Sequence, residues 1–355
     1  MTISEELDQL VESIESIPAE KRYWLIRTQS GSLYETFREN NIIAIEHNEV
    51  PLSLINELKT DFGQDLIKIS AAIRNKVRTV HESLLPNDSV EDLNVRRAGL
   101  ISSQIYKFTF EIKKGDTVII PSFNSDIVSF GIVTENYIGN FAPEEIRKID
   151  TDAILKRRVK WIKDIKRIDL DPFLYRMFTA HQAVNEVGSY ADIIERSLKD
   201  LFILDNEAHL IINVQTENEV SAKDLFGMGF EILRLVDKFA EIHQLDVSSR
   251  DLNVTISLNS PGKIDLKSKI KKSTIVTGLI LAVFGGGYES KEGTTFKSPG
   301  LPGLIKAIDD FRTHEQEREM KQLVFDTYKD SLQVKQPDEM IKLLKQFSDN
   351  KDISK

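Results

Sequence analysis

The chain contains no cysteine. That excludes a disulfide framework, a cysteine nucleophile and thiolate metal sites, and it fits a cytoplasmic protein. Histidine is scarce: His47, His81, His181, His209, His243 and His314 are scattered, and no two sit at metal-ligand spacing. No metal and no other cofactor is therefore expected. Positive charge is not in excess either. The net charge of −9 excludes a chain that binds polyanions over its whole surface, so any nucleic-acid contact must be local. No apolar run reaches the ~20 residues of a membrane-spanning helix; the longest, at 273–288, offers about 15. The opening segment, MTISEELDQLVESIESI, is acidic and amphipathic and does not read as a signal peptide.

Catalytic signatures are missing as well. Gly285-Gly286-Gly287 has no Lys-Ser/Thr after it and is no phosphate loop. Glu111-Ile112-Lys113 has the spacing of a nuclease core, but it falls at a helix end before a turn instead of on adjacent strands. No enzymatic activity is expected, and function must be sought in a binding face.

What is present is an ordinary globular composition, 41% hydrophobic and 29% charged over 355 residues, with room for two domains. The expected class is α+β. A helix at 3–17 is followed by a strand at Tyr23–Thr28 and a helix starting with Ser32 as N-cap and Glu35 three residues on. A strand (NIIAIEH), a helix from Pro51 and a long helix at Leu66–Leu84 come next. A helical segment from about Val95 to Lys113 ends at Gly115-Asp116 and launches the strand TVIIP. A glycine-containing strand, SFGIVTENY, and a basic strand beginning RRVKW complete the set. Short helices (LDPFLYRMF, SYADIIERSLKDLF) close a first domain, 1–203. The second, 204–355, opens with a βαββ module: the strand HLIINVQTE, the helix AKDLFGMGFEILRLVDKFAEIH and a hairpin turning at Asn259-Ser260-Pro261-Gly262. An apolar glycine-rich segment (273–288), a Gly/Pro loop, a charged helix and a last short helix from Pro337 follow.

Three features carry candidate function. The only two tryptophans, Trp24 and Trp161, lie in strands beside Arg22, Arg27, Arg157, Arg158, Lys160 and Lys163. Aromatics interleaved with cations suit base stacking with phosphate neutralisation; the alternative is that both rings are core. The run KRRVKWIKDIKR holds seven basic residues in twelve, which reads as an anion contact or as a solvated edge. The apolar segment carries small residues at Gly278, Ala282, Gly285 and Gly286 around Leu279. It reads as a buried or oligomer-forming helix, or as one that enters the inner membrane.

The segment from Tyr23 to Ile168 resembles the EVE/PUA-like N-terminal module of bacterial restriction proteins of the Mrr and McrB type. The resemblance rests on YWLIRT, on IIAIEH, on Phe108, Ile112, Lys113, Gly115 and Asp116, on the strand from Gly131 to Tyr137, and on Arg157, Val159 and Trp161. It implies a small β-barrel holding a flipped, often modified, base in an aromatic-lined pocket. The pocket residues it implies are Trp24, Phe108, Tyr137 and Trp161, with Arg27, Arg157, Arg158 and Lys160 for phosphates. This chain departs from the pattern at Ile45-Glu46-His47, where the family carries Gly-Trp, and in the long helix at Leu66–Leu84. The βαββ module resembles modules of prokaryotic anti-phage defence proteins, and the whole is similar in type to Hailong-type membrane effectors controlled by an oligonucleotide. These resemblances imply a bacterial defence protein. Its first domain would sense a nucleotide or nucleic acid and control a homo-oligomeric effector half, with a nucleotidyltransferase as partner. The other reading is a soluble reader of modified DNA that recruits a separate nuclease.

Overall fold

The computed structural model describes residues 2–62, 65–84, 91–136, 141, 149, 151–214, 221–257, 262–284, 303–304, 307, 310–311, 332–335 and 337–349. The class is α+β. Two compact units account for the contacts: Glu20–Ile193, and Met1–Ala19 together with Ile194–Lys355. Along the chain, α1 (Ile3–Ser13) comes first and belongs to the second of these.

The central unit is built on six strands: β1 (Tyr23–Ile26), β2 (Ile42–Ile45), β3 (Thr117–Pro121), β4 (Ile127–Val133), β5 (Leu155–Lys166) and β6 (Val184–Glu186). Their order is β2-β5-β4-β3-β1-β6. Only β1 and β3 run parallel, because the long excursion through α2 (Tyr34–Glu39), β2, α3 (Leu52–Phe62), α4 (Leu66–Leu84) and α5 (Glu91–Tyr106) separates them. Both β1 and β2 are buried at every position, as expected of strands covered on both faces. Helix α4 spans the expected residues and contributes Ile69, Ile73 and Val77 to the core. Ser32 is not an N-cap: its hydroxyl donates to the Gln29 carbonyl, and α2 starts after Leu33 with no side-chain cap. The segment before Gly115 ends as a five-residue π-helix, Lys107–Glu111.

A bulge in β5 explains its mixed character. Gly131 lies opposite Trp161 and Phe130 opposite Lys163, so Ile162 has no partner. The extra residue flips the alternation. Trp161 and Asp164 therefore both meet α2, where Arg38 stacks on the indole 5.0 Å from its centroid and pairs with Asp164 at 2.6 Å. Gly131 is required here, since a Cβ would stand 2.4 Å from Val159 Cγ1 and 2.7 Å from Trp161 Cε3.

In the other unit, β7 (Leu201–Leu204), β8 (Glu207–Val214), β9 (Asn253–Ser257), β10 (Gly262–Ser268) and β11 (Val334–Lys335) form the sheet β11-β8-β10-β9, with β7 paired to β8. The sequence boundary at 203/204 is corrected by two observations. Leu201–Leu204 is a strand instead of a helix end, turned onto β8 at Asp205-Asn206, both left-handed at φ 48 and 65. The N-terminal residues reach the same sheet: the Ile17 amide donates to the Ile203 carbonyl at 2.8 Å, and Ile203 donates to Glu15 at 3.0 Å.

Helices α6 (Ala191–Leu198), α7 (Ala222–Ile242), α8 (Lys271–Phe284) and α9 (Asp338–Asp349) complete the described elements. Helix α8 is the apolar segment. Ile275, Val276, Leu279, Ile280, Leu281 and Ala282 are buried in the main core with α7 and β8. Its polar residues are satisfied locally: Thr277 donates to the Ser273 carbonyl at 2.7 Å and Ser273 to Asp251 at 3.0 Å. Gly278 faces Met340 of α9. Among the described residues no helix is long and apolar enough to cross a membrane. Gly285 and Gly286, the turn at 258–261, the Gly/Pro loop and most of the charged helix lie outside the described residues.

Candidate functional site

The residues singled out in the sequence separate in the structure. Trp24 is fully buried, and its Nε1–H donates to Asp116 Oδ2 at 2.9 Å. The same carboxylate accepts the amides of Lys113 at 2.9 Å and Arg22 at 3.2 Å. The Gly115-Asp116 pair is thus a structural hub, with Gly115 at φ 94 making the turn. Phe108 is also fully buried.

Arg157 is the largest correction. It is 1% exposed, and its guanidinium donates to the carbonyls of Phe108 at 2.7 Å, Thr109 at 2.8 Å and Glu135 at 3.3 Å. It ties the π-helix to the segment after β4, with burial pushing its pKa down to about 10. A phosphate cannot reach it. Lys156 is likewise buried and bonded to the Ala153 carbonyl. Arg158 lies over Phe141, 4.5 Å from the ring centroid, and 3.6 Å from Glu135. Trp161 is half-buried and donates to the Phe37 carbonyl at 3.2 Å. Lys160 is exposed. Tyr137 lies outside the described residues. Of these side chains, none of the described ones lines the cleft onto which Arg27 opens.

The Arg27 cleft, of about 670 Å³, is lined by the segment after β1, the end of β2, one face of α5 and the approach to β6. Ligand pockets commonly occupy about 300–1,000 Å³. Arg27 is fixed by its amide, which donates to Ala183 at 2.9 Å, and by its Nη1, which donates to the Phe178 carbonyl at 3.0 Å. Gln29, Ser30 and Gly31 then turn through three successive left-handed conformations, φ 49, 57 and 98. Strained backbone of this kind persists only where packing imposes it, and here Phe123 crowds Gly31.

From α5 come Arg97, Leu100, Ile101 and Gln104, whose i, i+3, i+4, i+7 spacing puts them on one helical face. Gln104 is buried and set from both sides: it accepts the Val184 amide at 2.6 Å and donates to Gln182 at 2.8 Å. Ile45, Glu46 and His47 supply the β2 side, with Glu46 held by the Gln29 amide and by Thr151 at 3.5 Å. His181 lies across from them in the approach to β6.

The result is two guanidinium groups, two imidazoles and a fixed pair of amides around an aliphatic wall, against one carboxylate. Such a set can hold an anion and hydrogen-bond a flat polar heterocycle. The described lining holds no Phe, Tyr or Trp, so the aromatic pocket implied by the resemblance does not describe this cleft. Arg27 stands out in the sequence as a cation beside a tryptophan strand, and Ile45-Glu46-His47 only as a departure from the EVE/PUA-like pattern. Arg97, Gln104, His181 and Gln182 carried no local signal, since only the fold brings them together.

No family model, no curated protein and no solved structure matches the chain.

Proposed function

We propose that the central unit is a sensing domain whose cleft binds a nucleotide, free or at an unpaired position of a nucleic acid. In this reading the chain is a bacterial anti-phage defence protein in which ligand occupancy controls the unit built on β7–β11. The observation that carries the binding reading is the convergence of Arg27 and Arg97 with the Gln104–Gln182 amide pair on a cavity of about 670 Å³. The guanidinium groups take phosphate, the amides take a base edge, and the two imidazoles offer flat faces for the ring. The resemblance to EVE/PUA-like modules points to the same ligand class, but not to the same pocket: Ile45-Glu46-His47, which lines the cleft, stands where that pattern has Gly-Trp.

A second reading concerns the response. Helix α8 spends its apolar surface on its own core. That burial supports a soluble reader that recruits a separate nuclease over an effector that disturbs the inner membrane.

The test is titration of the full chain with mononucleotides, short single-stranded oligonucleotides and modified duplexes. Binding should weaken between about 50 and about 200 mM salt. Arg97→Glu, on an exposed side chain, should weaken it by roughly 10-fold or more, the value of a lost charge-assisted hydrogen bond. Absence of binding to every probe, or equal affinity in the wild type, Arg97→Glu and Arg27→Ala, would remove the reading.

A further inference from the structure

Strand β9 ends the second sheet. Its residues Val254 and Ile256 lie opposite Leu266 and Ile264 of β10. Cross-strand partners share a face, and on β10 that face is core: Ile264 is 7% and Leu266 9% exposed. Helix α8 packs against β8 and β10. One strand further out the same apolar face emerges, with Val254 55% and Ile256 37% exposed. Asn253 and Thr255 are exposed as well. The sheet thus runs beyond its helical cover and stops at an edge with no strand partner among the described residues.

Edges are normally protected by a charge, a proline or a bulge. Asn253-Val254-Thr255-Ile256-Ser257 has no charged residue and no proline, and its pairing with β10 is regular over all five positions. An open edge presents unpaired backbone donors and acceptors, so its complement is another extended strand. The segment is its own complement. In an antiparallel pair centred on Thr255, Val254 lies opposite the partner's Ile256 and Ile256 opposite the partner's Val254. Both pairs are β-branched and fall on the core face, and no like charges are opposed. The pairing is isologous, so it consumes both edges and stops at a dimer.

We propose that β9 is a homodimer edge, at which two copies of the chain join their sheets antiparallel about Thr255. The cleft reading is not needed for this, and neither inference fails with the other.

The chain has no cysteine of its own, which makes the test direct. Sedimentation of the full-length protein from about 1 to about 100 μM should show twice the monomer mass. Val254→Lys puts a charge on the edge and should return the monomer at every concentration. Thr255→Cys places two thiols across the axis, where antiparallel Cα atoms lie about 4.5–5.5 Å apart, within disulfide reach. Mild oxidation should yield a covalent dimer, whereas Lys223→Cys, on an exposed position of α7, should not. A wild type that is monomeric throughout overturns the proposal and leaves the edge to another strand. So does a Val254→Lys dimer of unchanged affinity, or cross-linking of Thr255→Cys no better than that of Lys223→Cys. If Val254→Lys fails to fold, the cysteine comparison still decides.

Discussion

The indole N–H of Trp24 donates to Asp116 Oδ2 at 2.9 Å inside the central core, joining neighbouring strands β1 and β3 whose pairing requires a long crossover. Parallel pairing of sequence-distant strands gains no support from a tight turn, so a buried side-chain bond of this kind fixes its register. The same carboxylate gathers the Lys113 and Arg22 amides. The turn at Gly115, the start of β1 and the start of β3 are therefore set by one side chain.

Asp116→Asn tests that hub. Three N–H groups point at the carboxylate, and an asparagine offers only one acceptor oxygen while turning an NH2 toward at least one of them. Leaving a buried donor unsatisfied costs about 1–3 kcal/mol. The unfolding free energy should fall by that amount, read as a lower urea midpoint with the m-value unchanged; an unaltered midpoint would show that the hub is dispensable.

Arg157 and Lys160 are separable by the same measurement. Arg157→Ala strips three backbone carbonyls of their donor, and should cost at least about 2 kcal/mol. Lys160→Ala, on the solvent face, should stay within about 0.5 kcal/mol. At a temperature where both variants are folded, neither should change nucleotide affinity, because neither residue lines the cleft. A folded Arg157→Ala protein with lost binding would return that arginine to the ligand.

Much of the architecture is legible along the chain. The strands at Tyr23, Thr117 and Leu155, the helix Leu66–Leu84 and the βαββ order follow from local pattern and turn residues. What is not legible is burial among charges. Arg157 sits in a run of basic residues, and composition assigns such a run to water or phosphate; only the carbonyls left open by the π-helix at Lys107–Glu111 draw it inward. The cleft is illegible for another reason. Arg27, Arg97, Gln104 and His181 are spread over more than 150 positions, and no periodicity links them. Leu201–Leu204 is not legible as a strand because its hairpin turn is Asp205-Asn206, without the glycine that usually marks one.

Two glycines should respond differently to a methyl group. At Gly131 the new Cβ meets the branched Val159 at 2.4 Å and the Trp161 ring at 2.7 Å, neither of which can move aside. Gly131→Ala should destabilise by about 1–3 kcal/mol through overpacking. At Gly278 the contact is Met340 Cε at 2.5 Å, the free end of a flexible side chain. Alanine also favours a helix interior by about 1 kcal/mol. Gly278→Ala should therefore leave the melting temperature nearly unchanged. A large loss there would mean that close backbone approach at α8 matters, as the small-residue pattern first suggested.

His243 gives the fold an acid-sensitive element. Burial lowers its pKa from the ordinary 6.5 and outweighs the opposing effects of Asp310 and of a backbone hydrogen bond with Ala307. Its Nε2 is buried without a hydrogen-bond partner. The unfolded chain takes up a proton near 6.5 and the folded chain only at lower pH, so between those values the unfolded state carries more protons. Unfolding free energy then rises with pH and falls on acidification through that interval. Urea midpoints measured from about pH 7.5 to about pH 5 should decline in the wild type. His243→Gln, which cannot titrate, should show a shallower decline over the same range. Parallel curves for the two proteins would mean that the imidazole is solvated in the folded state and that the packing around Phe239 and Phe311 does not enclose it.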